Sequence, residues 1–394
     1  MRALATGQEA LNRRRITQGG MAADLHTLGT WDVYGSRISY YTGKLEAYLR
    51  LYGINYRILP VGGNVGRLKK NAGASQMPVV QMSDGRWMSD TTPMLAWLDS
   101  QRGDGPSIYP QDPALAFIGL LIEDYADEWL WRSAMHYRWT YQLDRQYALE
   151  ILYKEQVRHA LNIPKFLGKR FLKRRQLGGF VRNDGVDDVS RPQADATYIN
   201  ALKCMEAILA KRPFLLGERP TIADFGMMAP MFRHYGQDPT PSEIMRKTAP
   251  NVFEWVARMW NLDLSVLRGA LIAAPDDLLE VFLTEISETH LSQLRQNAQA
   301  HSTGAERYSQ VIQGVHYASV PTSRYRVWCL ENLRSAWTAL PDSAQSVLRA
   351  KLTSDEASAL WDEFAFKPSD YDTEREAPFN RAINVFPGGV PKAG

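Results

Sequence analysis

The chain has only two cysteines among its 394 residues, Cys204 and Cys329. Two thiols this far apart in sequence cannot build a disulfide framework or a cysteine-based metal knuckle. The seven histidines are scattered and do not show the spacing of a zinc site. The sequence therefore predicts a protein without a bound metal ion, and its cysteine usage fits a reducing compartment such as the cytoplasm.

The chain also lacks a long apolar run and a strong charge of either sign. No stretch approaches the ~18 apolar residues that a membrane span needs, and residues 1–20 have no apolar core of a secretory signal. The formal net charge of +3 is too small to indicate nucleic acid or an anionic membrane as a partner. Length and composition predict a globular protein of about two or three domains, which follow an N-terminal lead-in without fixed structure.

Alternating strand and helix signals begin near residue 30. Two strand patterns flank a helical pattern that ends at Gly53, where a left-handed C-cap belongs. Strand, helix and strand with short connections predict a parallel pair with a right-handed crossover. The glycine-rich connection 62–66 lacks the spacing of a phosphate-binding loop and is interpreted as a plain loop. The predicted elements are strands 31–34 and 55–61 around helix 44–52, strands 76–80 and 86–88, and a helix that starts at Asp90.

The pattern becomes helical after a segment rich in glycine and proline. That segment indicates a linker, and the helical part contains a capping box in which Thr221 and Asp224 satisfy each other's backbone N–H groups. One long helix is predicted over residues 114–139. The predicted segments are a lead-in (1–29), an α/β domain (30–102), a linker (103–113), an all-helical domain (114–262) and a mainly helical C-terminal extension (263–394).

The order of these elements, together with several short motifs, resembles the glutathione S-transferase family. The resemblance implies a thioredoxin-like, glutathione-binding N-terminal domain, an all-helical C-terminal domain and a homodimer. It covers residues 30–260, and the lead-in and the C-terminal extension have no counterpart in a typical member. The matching motifs are Gly53–Tyr56, Gln76–Val80, Ser89–Met94, Tyr109–Pro110, Gly217 with Thr221–Asp224, and Ala249–Asn251 with Trp255 and Arg258–Met259.

Two of these motifs would bind glutathione if the resemblance holds. It implies a cis proline at Pro78, backbone pairing of Met77 with the cysteinyl unit of glutathione, and a contact of Gln76 with the glycyl end. It also implies that Asp90 and Thr91 bind the γ-glutamyl group at the start of a helix, where backbone N–H groups point outward. Ordinary helix capping explains the local pattern at residues 90 and 91 equally well.

The catalytic group would be a hydroxyl between the first strand and the first helix. Glutathione reacts as a thiolate, so the protein must favour the charged form of the thiol. The resemblance places this role on Ser39, and N-capping of the first helix is compatible with it. Tyr40 and Tyr41 are alternative donors, because the family often has Pro or Ser at the position of Tyr40. Residues 39–44 contain no cysteine, which argues against reductase chemistry.

Acidic residues 123, 124, 127 and 128 lie one helical turn apart. No histidine accompanies them at a metal-binding spacing, so they are interpreted as a solvated or dimer-facing surface. The resemblance suggests a further role for Asp124, which would reach across the dimer to the γ-glutamyl amine of glutathione.

The electrophile would contact the first helix of the helical domain. Five residues recur there at spacings of four, three, four and three, which places them on one helix face. This face suits an aromatic or carbonyl-bearing substrate, and a buried core stripe is an equally good interpretation. The residues are Tyr125, Trp129, Arg132, His136 and Trp139.

Taken together, the sequence predicts a glutathione transferase that attacks an apolar or aromatic electrophile. The alternative is a non-catalytic binding module with the same fold, because such modules often carry added segments and lose glutathione binding. The extension would either cover the electrophile pocket or bury part of a dimer interface.

Overall fold

The computed structural model describes residues 29–73, 75–102, 106–160 and 163–370. Residues 1–28 of the predicted lead-in and residues 371–394 of the C-terminal extension lie outside the described part of the chain.

The N-terminal part is built on one four-stranded sheet. Its strands are β1 (Trp31–Tyr34), β2 (Tyr56–Leu59), β3 (Val79–Gln81) and β4 (Trp87–Ser89). The strand order is β2-β1-β3-β4. The pair β1–β2 is parallel, as the strand–helix–strand pattern predicts, and the pairs β1–β3 and β3–β4 are antiparallel. Strand β1 lies inside the sheet, between β2 and β3, and its residues Trp31, Val33 and Tyr34 are all buried.

Three helices pack on this sheet and complete a thioredoxin-like domain. They are α1 (Tyr40–Leu51), α2 (Val65–Ala72) and α3 (Thr91–Gln101). Helix α2 is absent from the prediction, which treats residues 62–66 as a plain loop. Only Leu68 and Ala72 of this helix are buried, so its apolar signal is too short to stand out from the glycines around it.

The helical part of the chain is organised around one fully buried helix. Its helices are α4 (Pro113–Glu128), α5 (Leu130–Thr140), α6 (Gln142–Leu152), α7 (Lys165–Gln176), α8 (Arg191–Leu209), α9 (Ile222–Pro230), α10 (Pro239–Thr248) and α11 (Pro250–Trp260). All residues of α9 are buried, and it packs on both α4 and α1, so it joins the helical part to the sheet part. The predicted capping box at its start is present: Asp224 accepts a hydrogen bond from the backbone N–H of Thr221 at 2.9 Å.

The long helix predicted over residues 114–139 is interrupted at Trp129. Helix α4 ends at Glu128 and α5 begins at Leu130, and Trp129 has a distorted φ of −94° between them. A spacing argument that runs through this position therefore does not hold. The two helices present different faces to the rest of the molecule.

The C-terminal extension shares the hydrophobic core of the helical part. Its elements are α12 (Asp277–Ile286), α13 (Ser292–Ser302), the hairpin strands β5 (Arg307–Ile312) and β6 (Val315–Pro321), α14 (Arg324–Thr338) and α15 (Asp342–Arg349). Phe282 and Leu283 of α12 belong to the same buried cluster as Leu121 and Tyr125 of α4. Helices α14 and α15 also pack on α4. The antiparallel hairpin β5–β6 was not predicted; it leads the chain back to the junction between the sheet and the helices.

The described ranges lack two features, a membrane-spanning helix and a cluster of metal ligands. None of the helices there combines the length and the apolar character that a bilayer crossing requires. The same part of the chain holds no group of three or more His, Cys, Asp or Glu side chains arranged for a metal ion.

Candidate functional site

A cavity of about 260 Å³ lies where the sheet, the helical part and the C-terminal extension meet. The sheet side contributes the start of α1, the residues before β3 and the start of α3. The helical side contributes the end of α4 together with α5, α6 and α7, and the extension contributes the end of β6 and the start of α14. The sheet-side residues are Ile38–Tyr41, Ser75–Pro78 and Ser89–Thr91.

The start of α1 brings the three predicted hydroxyl donors to the cavity, but their hydroxyl groups differ in their hydrogen bonding. The Tyr40 hydroxyl donates to the carbonyl of Ala126, and the Tyr41 hydroxyl donates to the carbonyl of Asp127 at 2.8 Å. Burial raises the pKa of both tyrosines well above the ordinary value. Both phenolic protons are therefore held by the end of α4.

Ser39 occupies the N-cap position of α1 with extended backbone (φ −82°, ψ 130°). Its side chain caps no backbone N–H of the helix. No hydrogen bond to its hydroxyl is found within the described residues, so this hydroxyl has a proton to donate into the cavity.

The predicted glutathione-binding residues also line the sheet side of this cavity. The Met77–Pro78 peptide bond is cis. Asp90 has a φ of +72°, a left-handed conformation that is uncommon outside glycine, and its side chain does not cap α3. Thr91 is the first residue of α3 and is buried, so the cavity meets the positive end of this helix. Gln76 also lines the cavity.

The interpretation of the acidic residues of α4 as a solvated surface is wrong. Glu123 and Asp127 are buried, and both contact the ammonium of Lys44 on α1, Asp127 at 2.5 Å. Burial acts to lower the pKa of Lys44, but the two carboxylates outweigh it and raise that pKa. Burial raises the pKa of Asp127, and its second oxygen Oδ1 has no hydrogen-bond partner within the described residues while the residue lines the cavity.

Glu128 at the end of α4 forms a buried ion pair with the C-terminal extension. Arg326 of α14 lies 3.2 Å from Oε2 of Glu128 and 3.6 Å from Oδ1 of Asp184. Burial raises the pKa of Glu128 to about 8, although Arg326 opposes this shift. Pro321, Ser323, Tyr325 and Arg326 line the cavity. The extension is therefore part of the cavity wall.

Arg138 of α5 forms a buried hydrogen-bond network on the helical side of the cavity. Its guanidinium donates to both carboxylate oxygens of Asp238, at 2.7 and 2.9 Å, and to Nε2 of His234 at 2.7 Å. Burial and the adjacent Arg138 lower the pKa of His234 well below its ordinary value. The His234 ring is therefore neutral at pH 7, as its acceptor role at Nε2 requires.

Of the five residues predicted to contact the electrophile, Trp139 lines the cavity and the other four lie in the core behind it. Tyr125 packs on Phe282 and His290 of the extension. Arg132 stacks between Trp129 and Tyr317 and contacts Asp184, and His136 contacts Asp195 at 3.1 Å. These four positions follow the alternative interpretation, a buried stripe.

The residues of α5 that do line the cavity lie on an adjacent face of the same helix. They recur at spacings of four, three and one, which also describes a single helix face. This spacing is visible in the sequence. The prediction of one continuous helix instead selected a helix face whose positions are shifted by one residue. Phe180, which follows α7, completes the surface; we call Trp131, Met135, Trp139 and Phe180 the apolar wall, and Arg138 lies at its edge.

Asp124 does not reach the cavity. Its carboxylate contacts Nε2 of His290 at 2.7 Å, and its side chain is only 13% exposed. The extension therefore covers the side chain that was predicted to cross a dimer interface.

Comparison with known proteins identifies both parts of the fold. The family model described as "Glutathione S-transferase, N-terminal domain" matches residues 33–107, and "Glutathione S-transferase, C-terminal domain" matches residues 188–258. Among solved structures, a glutathione S-transferase from Pseudomonas fluorescens Pf-5 is 20% identical, with 58% of this chain and 93% of that chain covered and a TM-score of 0.35.

Two further structures are similar over a comparable range. The beta-etherase LigF from Sphingobium sp. strain SYK-6 is 18% identical, with 58% and 94% of the two chains covered and a TM-score of 0.40. A glutathione S-transferase from Methylobacterium radiotolerans, in complex with glutathione sulfonate, is 14% identical, with 63% and 98% covered and a TM-score of 0.36. The two matched domain models carry the assignment: this chain is a member of the glutathione S-transferase family.

Proposed function

We propose that this protein is a glutathione transferase that activates glutathione as a thiolate for attack on an apolar or aromatic electrophile. The observation that carries the proposal is that Ser39, Met77–Pro78 and Asp90–Thr91 line one cavity, although they come from three separate segments of the chain.

Glutathione would lie along the sheet side of this cavity. The backbone of Met77 would pair with the cysteinyl unit, and Gln76 would contact the glycyl carboxylate. The γ-glutamyl carboxylate would bind at the start of α3, where Thr91 offers a hydroxyl and the helix offers free N–H groups. Asp90 would hold the ammonium group, and Asp127 adds a second acidic side chain to the same cavity wall, because carboxylates suit a cation.

The thiol would be activated at the start of α1. A hydroxyl donor and the positive end of a helix both favour the thiolate over the thiol. Ser39 meets both requirements, whereas the protons of Tyr40 and Tyr41 are held by carbonyl groups of α4. The thiolate would then form a carbon–sulfur bond to the electrophile, which binds against the apolar wall.

Family membership supports the finer assignments that we propose. We propose that the protein is a cytoplasmic homodimer and that the domains are those predicted from the sequence. With Asp124 covered by His290, each protomer would hold glutathione with its own carboxylates. A role in detoxification is consistent with an apolar wall that selects by shape and polarity.

The non-catalytic alternative has one observation in its favour. Tyr325 of the extension donates a hydrogen bond to Asp90, the residue that would bind the γ-glutamyl ammonium group. In a binding module that no longer binds glutathione, the extension would occupy this end of the cavity.

Two measurements distinguish these functions. Titration calorimetry with glutathione tests binding, and a conjugation assay with an aryl halide tests chemistry. A transferase binds glutathione with a Kd below the millimolar range and releases halide in proportion to conjugate. Absence of heat at millimolar glutathione, with a folded protein by circular dichroism, would exclude the transferase function.

A further inference from the structure

Three arginines line the cavity, and two of them are paired with buried acidic side chains. Arg138 contacts Asp238 at 2.7 Å. Arg326 contacts Glu128 at 3.2 Å and lies 3.6 Å from Asp184. These two guanidinium groups hold the fold together, and neither is available to a ligand without the loss of a buried ion pair.

The third, Arg175 near the end of α7, differs from them. Within the described residues no carboxylate lies within ion-pair distance of it and no hydrogen bond is formed by its guanidinium. Its guanidinium carbon lies 5.8 Å from the centre of the Phe180 ring, and the side chain is half-buried. Burial lowers the pKa of Arg175 with no carboxylate to oppose it, yet a guanidinium remains charged at any physiological pH. A partly desolvated charge without a partner costs free energy, which a bound anion would offset.

Arg175 belongs to the helical side of the cavity. Phe180 packs edge-to-face on Trp131 at 5.9 Å, and Trp131 stacks on Tyr41 at 5.6 Å. The guanidinium therefore borders the apolar wall, where the electrophile would bind, and comes from a different part of the fold than Met77, Pro78 and Thr91. An aromatic group against the wall would place a substituent beside Arg175.

We propose that Arg175 is an anion-recognition residue for the second substrate, so that the preferred electrophile is an aromatic compound that carries a carboxylate. The proposal rests on the proposed function for the conjugation step. In that step the glutathione thiolate attacks the ring carbon that bears a halide, the carbon–sulfur bond forms, and the halide leaves with the bonding electron pair. The substrate's carboxylate takes no part in bond making and is held by Arg175 throughout.

The test uses a matched pair of electrophiles, 4-chloro-3-nitrobenzoate and its methyl ester. Arg175→Gln should lower kcat/KM for the carboxylate about 10- to 100-fold, the range expected for loss of a charge-assisted hydrogen bond. It should change kcat/KM for the ester less than about 3-fold and leave the KM for glutathione unchanged. Arg175→Lys should keep part of the preference for the carboxylate, because it keeps the charge but not the two-pronged geometry.

The control is Arg174→Gln, which removes the same charge from an exposed position on the same helix. It should leave both electrophiles unaffected, and a loss equal to that of Arg175→Gln would show that only the net charge matters. Equal losses for acid and ester would overturn the proposal, since a purely structural role affects both. A rise in the KM for glutathione with either electrophile would also overturn it, because Arg175 would then serve a carboxylate of glutathione.

A binding measurement separates this proposal from the proposed function. Quenching of tryptophan fluorescence by 4-chloro-3-nitrobenzoate reports binding beside Trp131 and Trp139 without turnover. If no conjugation occurs but the carboxylate still binds at least 10-fold more weakly to Arg175→Gln, the anion site stands and the transferase function fails. If conjugation occurs and the carboxylate binds equally to both proteins, the anion site fails and the transferase function stands.

Discussion

The hydroxyl of Tyr325 donates a hydrogen bond to Oδ1 of Asp90 over 3.0 Å, across a sequence separation of 235 residues. One residue lies in the C-terminal extension, and the other lies at the start of α3 in the thioredoxin-like domain. The extension thus touches the proposed glutathione-binding edge of the cavity as well as the proposed electrophile side. Through this hydrogen bond the extension orients the carboxylate of Asp90.

Tyr325→Phe tests whether this contact supports or blocks glutathione. We expect the Kd for glutathione to rise about 3- to 10-fold by calorimetry, because Asp90 loses the donor that orients its carboxylate. Tyr317→Phe is the matched control: it removes another hydroxyl of the extension, which donates to Gln193 at 2.8 Å outside the cavity. That variant should keep the wild-type Kd. Tighter binding in Tyr325→Phe would instead favour an extension that competes with glutathione.

Lys44 is expected to be essential for stability. It is fully buried, and Lys44→Met would leave the carboxylates of Glu123 and Asp127 buried without a cation. Removing one partner of such a cluster costs about 3–5 kcal/mol, which urea denaturation measures. Lys247→Met removes an exposed lysine that pairs with Glu243 one turn away and should not move the midpoint measurably. Similar midpoints for the two variants would contradict the buried network.

The raised pKa of Glu128 predicts that the folded protein loses stability as the pH becomes alkaline. Burial raises its folded-state pKa from the ordinary 4.5 to about 8, so between these values the folded protein holds this proton more tightly than the unfolded chain does. The stabilising contribution is complete below pH 4.5 and is lost as the pH rises through about 8. We expect the Tm of the wild type to fall more between pH 7 and pH 9 than that of Glu128→Gln. Parallel Tm curves would show that Glu128 is already ionised at pH 7.

The sequence was sufficient for those parts of the fold that depend on local patterns. The parallel pair β1–β2 follows from a short strand–helix–strand pattern, and the capping box of α9 follows from Thr221 and Asp224. Helix α2 and the hairpin β5–β6 were missed because their apolar faces are short and partly exposed. The break at Trp129 was missed because nothing in the local sequence, neither glycine nor proline, marks it.

The cavity could be predicted only in part. Ser39, Pro78 and Thr91 were found because family motifs contain them, and each lines the cavity. Tyr325 and Arg326 could not be predicted, because no pattern in the sequence shows that they contact Asp90 and Glu128, which lie 235 and 198 positions earlier. The acids of α4 were misread as a surface for the same reason: Lys44, Arg326 and His290, the partners that make their burial possible, come from distant segments.

The most direct test of thiol activation by Ser39 is the pKa of bound glutathione. A pH titration of the ultraviolet absorbance of the thiolate, with the protein saturated by glutathione, gives this pKa for the wild type, Ser39→Ala and Tyr41→Phe. We expect the thiol pKa in Ser39→Ala to rise about 1–2 units, the equivalent of one charge-assisted hydrogen bond. Its Kd for glutathione and the titration of Tyr41→Phe should stay close to those of the wild type. An unchanged pKa in Ser39→Ala, or a rise confined to Tyr41→Phe, would contradict Ser39 as the residue that stabilises the thiolate.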